Sequence, residues 1–447
     1  MSLRDIFLFG LMAVLVPMIL TRPYIGALAW VVVGVMNPHR LTWGLAFNFQ
    51  FALLIALLTL VGLVFTSDHR KIKGGAPGVV LIMFAAWVSL TTFLFPFYAE
   101  SAETYWWDRP AKIYLMTGVI LMLLHTKRHI ELLVWTMVVS LGFYGVKGGI
   151  FTILSGGNFR VYGPDNSMIE ENNALAVALV VVIPLMIHLF QQYRTKWLQW
   201  GLAGGAALCA ISTLGSWSRG AMLAVFAMGC LLWVRSSHKM LIFTGVFLFT
   251  LIAIPMMPGG WSERMNTLQT YDEDGSASSR LVTWETAINI AKDKFPFGGG
   301  FEYHGVATSA KYSPNPLDTH VAHSIYFSVL GSQGFIGLAI YLLFWALVWR
   351  QCGWIRRKTR DQSDLQWAYS LASMTQASLV GYFVGGAFLD LAFWDLPYYL
   401  YATVAITQYA VARELDLLTT SASAAGPAPG AAVSAGANAY SGRMSGF

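Results

Sequence analysis

Charge is what this chain has least of. Only 12% of its 447 residues are Asp, Glu, Lys or Arg, about half the roughly 25% of a soluble globular chain. With 56% hydrophobic residues and a mean hydropathy of +0.56, this excludes a water-soluble domain of ordinary composition and places the chain in the membrane class. Cysteine is scarce as well. Cys209, Cys230 and Cys352 are the three present, and they fall in apolar blocks or a basic loop at spacings that suit neither a disulfide frame nor a zinc site. The net charge of +6 is concentrated in short loops, so it reports topology rather than affinity for nucleic acid. The first apolar block lacks a clear small-residue cleavage site and is expected to remain as membrane sequence. Clustered carboxylates are missing from the loops expected outside the cytoplasm, so no Mg²⁺ or Mn²⁺ site, and no cofactor, is expected. Asp272-Glu273-Asp274 reads as a solvated turn.

What is present is a succession of apolar segments, at about 5–36, 50–66, 76–95, 111–125, 130–145, 171–190, 197–216, 219–234, 240–256, 323–349, 366–389 and 393–411. The longer ones match a hydrocarbon core of about 30 Å at 1.5 Å per residue. The first contains Pro17 and Pro23 and fits one broken crossing or two short ones; one broken crossing is expected. The expected fold is an all-α polytopic membrane protein of about 12 transmembrane helices, with 11 to 13 allowed. Five basic groups orient it: Arg70, Lys71 and Lys73; Lys127 and Arg128; Arg194 and Lys196; Arg235 and Lys239; and Arg350, Arg356, Arg357, Lys358 and Arg360. Alternating crossings put all five on one side, which the positive-inside rule makes cytoplasmic, together with both termini.

The opposite, periplasmic side then carries loops at about 96–110, 146–170 and 257–322. The last is long enough to be functional. Leu281, Trp284, Ala287, Ile288 and Ala291 lie on one face of a helix, which Phe295-Pro296-Phe297 and Gly298-Gly299-Gly300 terminate. An amphipathic helix lying on the outer leaflet and covering a cavity is expected, the alternative being one simply packed on the bundle. The chain divides into N-terminal transmembrane helices (1–165), a transmembrane core (166–418) that includes the periplasmic loop, and a disordered cytoplasmic tail (419–447) rich in Ala, Ser, Gly and Pro.

Ionisable residues at a membrane face are costly and suggest function. Arg219 lies at a turn between two apolar segments, Arg280 opens the amphipathic helix, His323 opens the following crossing, and Asp390 ends another. Each has a plainer reading: a headgroup anchor, a solvated first-turn residue, a structural histidine, a cap or partner of a cation. Their convergence on one face favours chemistry. Guanidinium groups hold phosphate oxygens in a fork, and a histidine accepts a hydroxyl proton near neutral pH. Asp390 could orient the histidine or bind an acceptor hydroxyl. Lys147 and Arg160, followed by Asn172 and Asn173 at a helix start, form a second group that could bind a second phosphate or an acidic acceptor, the plainer reading being a solvated loop. The glycines around Lys147 allow close approach of a ligand. Arg40 and Arg109 are further candidates, whereas His320 is expected to be dispensable.

Several of these residues form a familiar set. Ser218-Arg219-Gly220, Ser279-Arg280 with Trp284, Pro296-Phe297-Gly298-Gly299-Gly300, and His323-Ser324-x-Tyr326 followed by Gly331 and Gly334-Phe335-x-Gly337 resemble the O-antigen ligase superfamily, which also holds O-antigen polymerases and protein O-glycosyltransferases. The likeness covers roughly 165–400. The N-terminal third, with Asn37-Pro38-His39-Arg40 and Phe143-Tyr144-Gly145-Val146-Lys147-Gly148-Gly149, resembles the branch associated with exopolysaccharide clusters. The resemblance implies a metal-independent, inverting glycosyl transfer at the periplasmic face of a bacterial inner membrane. It implies an undecaprenyl-pyrophosphate glycan as donor and a lipid A–core hydroxyl as acceptor in lipopolysaccharide biosynthesis. It also implies roles for Arg219 and Arg280 on pyrophosphate, His323 on the acceptor and Asp390 in the site wall. A protein or growing-glycan acceptor is the alternative. A non-enzymatic transporter of lipid-linked oligosaccharide is the alternative of another class. It would place paired charges near mid-membrane in related halves, which the sequence does not show.

Overall fold

A computed structural model describes residues 2–69, 74–94, 100–255, 257–266, 275–317 and 319–424. The described residues are helical and contain no strand. In chain order the helices are α1 Leu3–Thr21, α2 Pro23–Met36, α3 Phe51–Phe65, α4 Gly75–Leu94, α5 Glu100–Leu123, α6 Lys127–Leu154, α7 Asn172–Gln192, α8 Lys196–Gly215, α9 Arg219–Arg235, α10 Lys239–Ala253, α11 Gly259–Asn266, α12 Gly275–Asp293, α13 Val306–Tyr312, α14 Ile325–Thr359, α15 Gln366–Gly386 and α16 Asp395–Ala424. Among them α1, α4, α6, α7, α8 and α14 are long and apolar enough to cross a bilayer, and α2 and α3 are shorter apolar helices. The chain is a multi-pass membrane protein. The sequence supplies starts as well as apolar spans. Ser2 and Asp5 form a capping box at α1, and Thr126 and Ser218 cap α6 and α9 with their hydroxyls, satisfying amides that lipid cannot.

α7 is the hub. Ala174 to Val182 are buried around the whole helix, the pattern of a helix surrounded by others. α6, α8, α9 and α15 pack on it, and the Ser378 hydroxyl of α15 donates to the Val181 carbonyl at 2.7 Å.

Three expectations are corrected. Residues 3–36 are not one broken crossing. The Ala46 amide donates to Asp5 at 3.2 Å, so the start of α1 lies beside the chain that leaves α2. α1 and α2 are therefore an antiparallel hairpin, broken at Arg22 by the proline that begins α2. Asp68 meets His125 at 3.3 Å and Tyr24 stacks on His129 at 4.6 Å, placing the hairpin's turn on the face of Lys127 and Arg128. Ser2 therefore faces the opposite side from the basic loops, whereas both termini were expected with them. Arg70, Lys71 and Lys73 lie outside the described residues.

Second, α6 runs to Leu154, through the expected start of the 146–170 loop. Its glycines serve a helix contact. A Cβ on Gly145 would strike Cys209, one on Gly148 would strike Ser212, and one on Gly149 would strike the Leu208 backbone, all in α8. Small residues let two membrane helices approach closely, so these glycines admit α8 rather than a ligand. Third, α12 packs against α14 with Thr283, Ala287, Ile290 and Ala291 buried, while Leu281 is 48% exposed. The buried stripe is rotated from the expected one, and the helix is a wall of the bundle. α16 continues to Ala424, past the expected start of the tail. The rest of the tail, Asp272 to Asp274 and Asp318 lie outside the described residues.

Candidate functional site

Two glycine stretches far apart in sequence form one joint. Gly334 has φ +69° and ψ −174° and breaks α14. The break frees the carbonyls of Gly331 and Ser332, which accept the amides of Gly299 at 2.8 Å and Gly300 at 3.0 Å. A Cβ on Gly298 (φ +78°) would strike the Gly334 amide, and one on Gly334 would strike the Pro296 carbonyl. Backbone touches backbone here, so a side chain is excluded. The Gln333 carbonyl accepts the Trp87 indole N–H at 2.9 Å, and its side-chain oxygen accepts the Thr91 hydroxyl at 2.6 Å. The joint delivers Phe301, Tyr303 and His304 to the same end of the bundle as His323.

His323 has φ +44°, a conformation that costs a non-glycine residue roughly 1–2 kcal/mol. Its neighbour is held from two sides. The Trp284 indole donates to the Ala322 carbonyl at 2.7 Å, and the Ala322 amide donates to the buried Tyr303 hydroxyl at 3.3 Å. Trp284 also stacks on Phe327 at 4.7 Å. α12, α14 and the joint together over-determine the histidine's backbone.

His323 opens onto a cavity of about 360 Å³ that Glu171, Asn173, Arg280, His320 and Leu389 also line. Burial lowers the His323 pKa below its ordinary 6.5. The Glu171 and Asp390 charges oppose that shift, and Arg280 and His320 reinforce it. Burial is the largest cause of the lowering.

Arg219 is half-buried at the first position of α9. Its turn is fixed by Trp217 (φ +59°), whose indole donates to the Gly157 carbonyl at 3.1 Å, and by Asn172, which donates to the Ser216 carbonyl at 2.6 Å. A Cβ on Gly220 would lie 3.3 Å from Phe388. Arg219 is not among the residues that line the His323 cavity.

Asp390 faces a second cavity with Arg109, Tyr303, His304, Phe301 and Phe393, next to the first, which the preceding residue Leu389 lines. Its charge acts on His304 and on His323, so the two cavities are electrostatically joined. The structure gathers Arg280, His323 and Asn173 in one cavity and Arg109 and Asp390 in its neighbour. Lys147 does not join them: it is exposed on the side of α6. Arg160 lies over the Trp217 ring at 5.5 Å, and Arg40 lies over Phe47 at 4.9 Å. Neither lines a cavity described above. Sequence reasoning missed Glu171, Tyr303 and His304; His320, expected to be dispensable, lines the His323 cavity. Proximity of Tyr303 and His304 to the Gly298-Gly299-Gly300 run was the available signal. Among the described residues no three His, Cys, Asp or Glu side chains converge as a metal site would.

Comparison with known families divides the chain in two. Residues 3–195 match a family of unknown function (DUF5935), and residues 204–342 match the O-antigen ligase family. No curated protein matches. The second segment contains Arg219, Arg280, His323 and the whole glycine joint.

Proposed function

We infer from the O-antigen ligase family, to which residues 204–342 belong, that this chain moves a glycan from undecaprenyl pyrophosphate to a hydroxyl of lipid A–core. The site would face the periplasm of the inner membrane, opposite the basic loops. The observation that carries the reading is the cavity in which Arg280 and His323 meet, with Asp390 in the adjoining one. A transporter has no need of a strained histidine with a lowered pKa beside a guanidinium.

The chemistry asks for two things. The pyrophosphate must depart with the electron pair of the bond to the anomeric carbon, and the attacking hydroxyl must lose its proton. Arg280 and Arg219 offset the charge that grows on the leaving group. A neutral His323 accepts the proton as the acceptor oxygen forms its new bond. Attack from the face opposite the pyrophosphate inverts the anomeric centre. Asn173 and Glu171 supply polar contacts at the cavity rim.

Reconstitution tests the reading. Purified protein in lipid bilayers is given undecaprenyl-pyrophosphate glycan with lipid A–core, with a protein acceptor, or with neither. Glycan on lipid A–core alone is expected. Transfer to protein, or extension of the donor glycan itself, would reassign the acceptor. No transfer in any arm would overturn glycosyl transfer.

A further inference from the structure

The second cavity differs chemically from the first and is built by both halves of the chain. Trp106 and Arg109 come from α5, in the segment that matches a family of unknown function. Phe301 and His304 come from the ligase segment, and Asp390 and Phe393 from beyond it. α5 is tied across by the Trp106 indole, which donates to Glu302 at 3.1 Å, while an Arg109 nitrogen lies 2.5 Å from the Met168 sulfur within its own segment. Phe301 and Phe393 pack edge to face at 5.3 Å. His304 carries a buried ring nitrogen, Nδ1, without a hydrogen-bond partner.

The two cavities divide the polar work. Arg280 suits an anion. The second cavity sets one guanidinium against one carboxylate, so it has no excess of charge to offer an anion. It offers instead a carboxylate that accepts hydroxyls, a guanidinium that donates to them, an imidazole nitrogen in want of a partner, and three aromatic side chains for the C–H faces of a ring. That set matches an uncharged sugar. Asp390, next in sequence to Leu389 of the His323 cavity, sets this cavity beside that one.

We propose that this cavity is the acceptor subsite, that it takes an uncharged pyranose, and that α5 sets acceptor choice through Trp106 and Arg109. The proposal rests on the transfer reaction proposed above. It gives the N-terminal segment a role in the reaction: that segment forms one wall of the place where the acceptor docks.

The test titrates lipid A–core against full-length protein in bilayers at fixed undecaprenyl-pyrophosphate glycan, then titrates donor at fixed acceptor. Trp106→Ala and Arg109→Met are each expected to raise the acceptor KM by about tenfold or more, the scale of one or two lost polar or stacking contacts, with the donor KM unchanged. Trp106→Phe, which keeps a ring, is expected to stay close to wild type, and Arg109→Lys to fall between. Should Trp106→Ala not fold, the Arg109 pair carries the result. An acceptor KM that stays put in folded variants, or a donor KM that rises in step, would overturn the subsite. A wild-type protein that transfers nothing to any acceptor would instead overturn the reaction it rests on.

Discussion

Trp284 donates its indole N–H to the carbonyl of Ala322 at 2.7 Å, and so fixes the residue that precedes His323. The bond couples α12 to the strained start of α14. Trp284→Phe keeps a ring against Phe327 and removes only the donor. A neutral hydrogen bond is worth about 0.5–1.5 kcal/mol, so transfer is expected to slow by roughly 2- to 10-fold with donor binding unaltered. Parallel rate and donor-binding assays check this. An unchanged rate would mean that Tyr303 suffices to hold Ala322.

The arginines are expected to act on the donor. Arg280→Ala should weaken binding of undecaprenyl-pyrophosphate glycan by about 10- to 150-fold, the scale of a charge-assisted contact of 1.5–3 kcal/mol. Arg280→Lys should recover only part, because an ammonium lacks the fork. Arg219, which is not among the lining residues of the His323 cavity, should give the smaller loss. Equilibrium binding of labelled donor to each variant separates the two. Arginine variants that bind donor as wild type does would reduce both to structural roles.

The pH profile carries a sign. Burial holds His323 below 6.5, and the neutral imidazole is the active base. The rate should therefore stay level from neutral pH down past 6.5 and fall only as pH drops through the lowered pKa. Glu171 raises that pKa, so Glu171→Gln should carry the acid limb to still lower pH. An acid limb that moves upward in Glu171→Gln would contradict the assignment.

The glycine joint gives a stability test. Gly298→Ala and Gly334→Ala place a Cβ at positive φ against backbone. Each is expected to cost at least about 2 kcal/mol, read as a lower Tm in detergent. Gly118 and Gly229 have open space where a Cβ would go, so alanine there should be neutral or slightly stabilising. Equal Tm values for both pairs would show that the joint yields readily.

The sequence made the membrane class, the helical fold and the candidacy of Arg280 and His323, which line one cavity, legible, because apolar length, loop charge and lone ionisable residues each carry a direct cost in lipid. It hid what depends on contacts between distant segments. The glycines around Lys147 read as room for a ligand, since only the position of α8 shows what they admit. Pro17 and Pro23 marked a break without saying whether the chain kinks or turns back. Glu171 stood beside Asn172 and Asn173 but carries no pattern of its own, and its place in the His323 cavity appears only in the folded chain. The two glycine stretches read as separate stops, and their mutual fit appears only when residues 296–300 meet residues 331–334.

The most direct test is a single-turnover comparison of wild type and His323→Ala in bilayers, with undecaprenyl-pyrophosphate glycan prebound and transfer started by lipid A–core. General-base catalysis contributes about 10²–10⁴-fold. His323→Ala is therefore expected to fold, bind donor as the wild type does, and transfer at no more than about a hundredth of the wild-type rate. Transfer by folded His323→Ala at near wild-type rate would contradict the account at its centre.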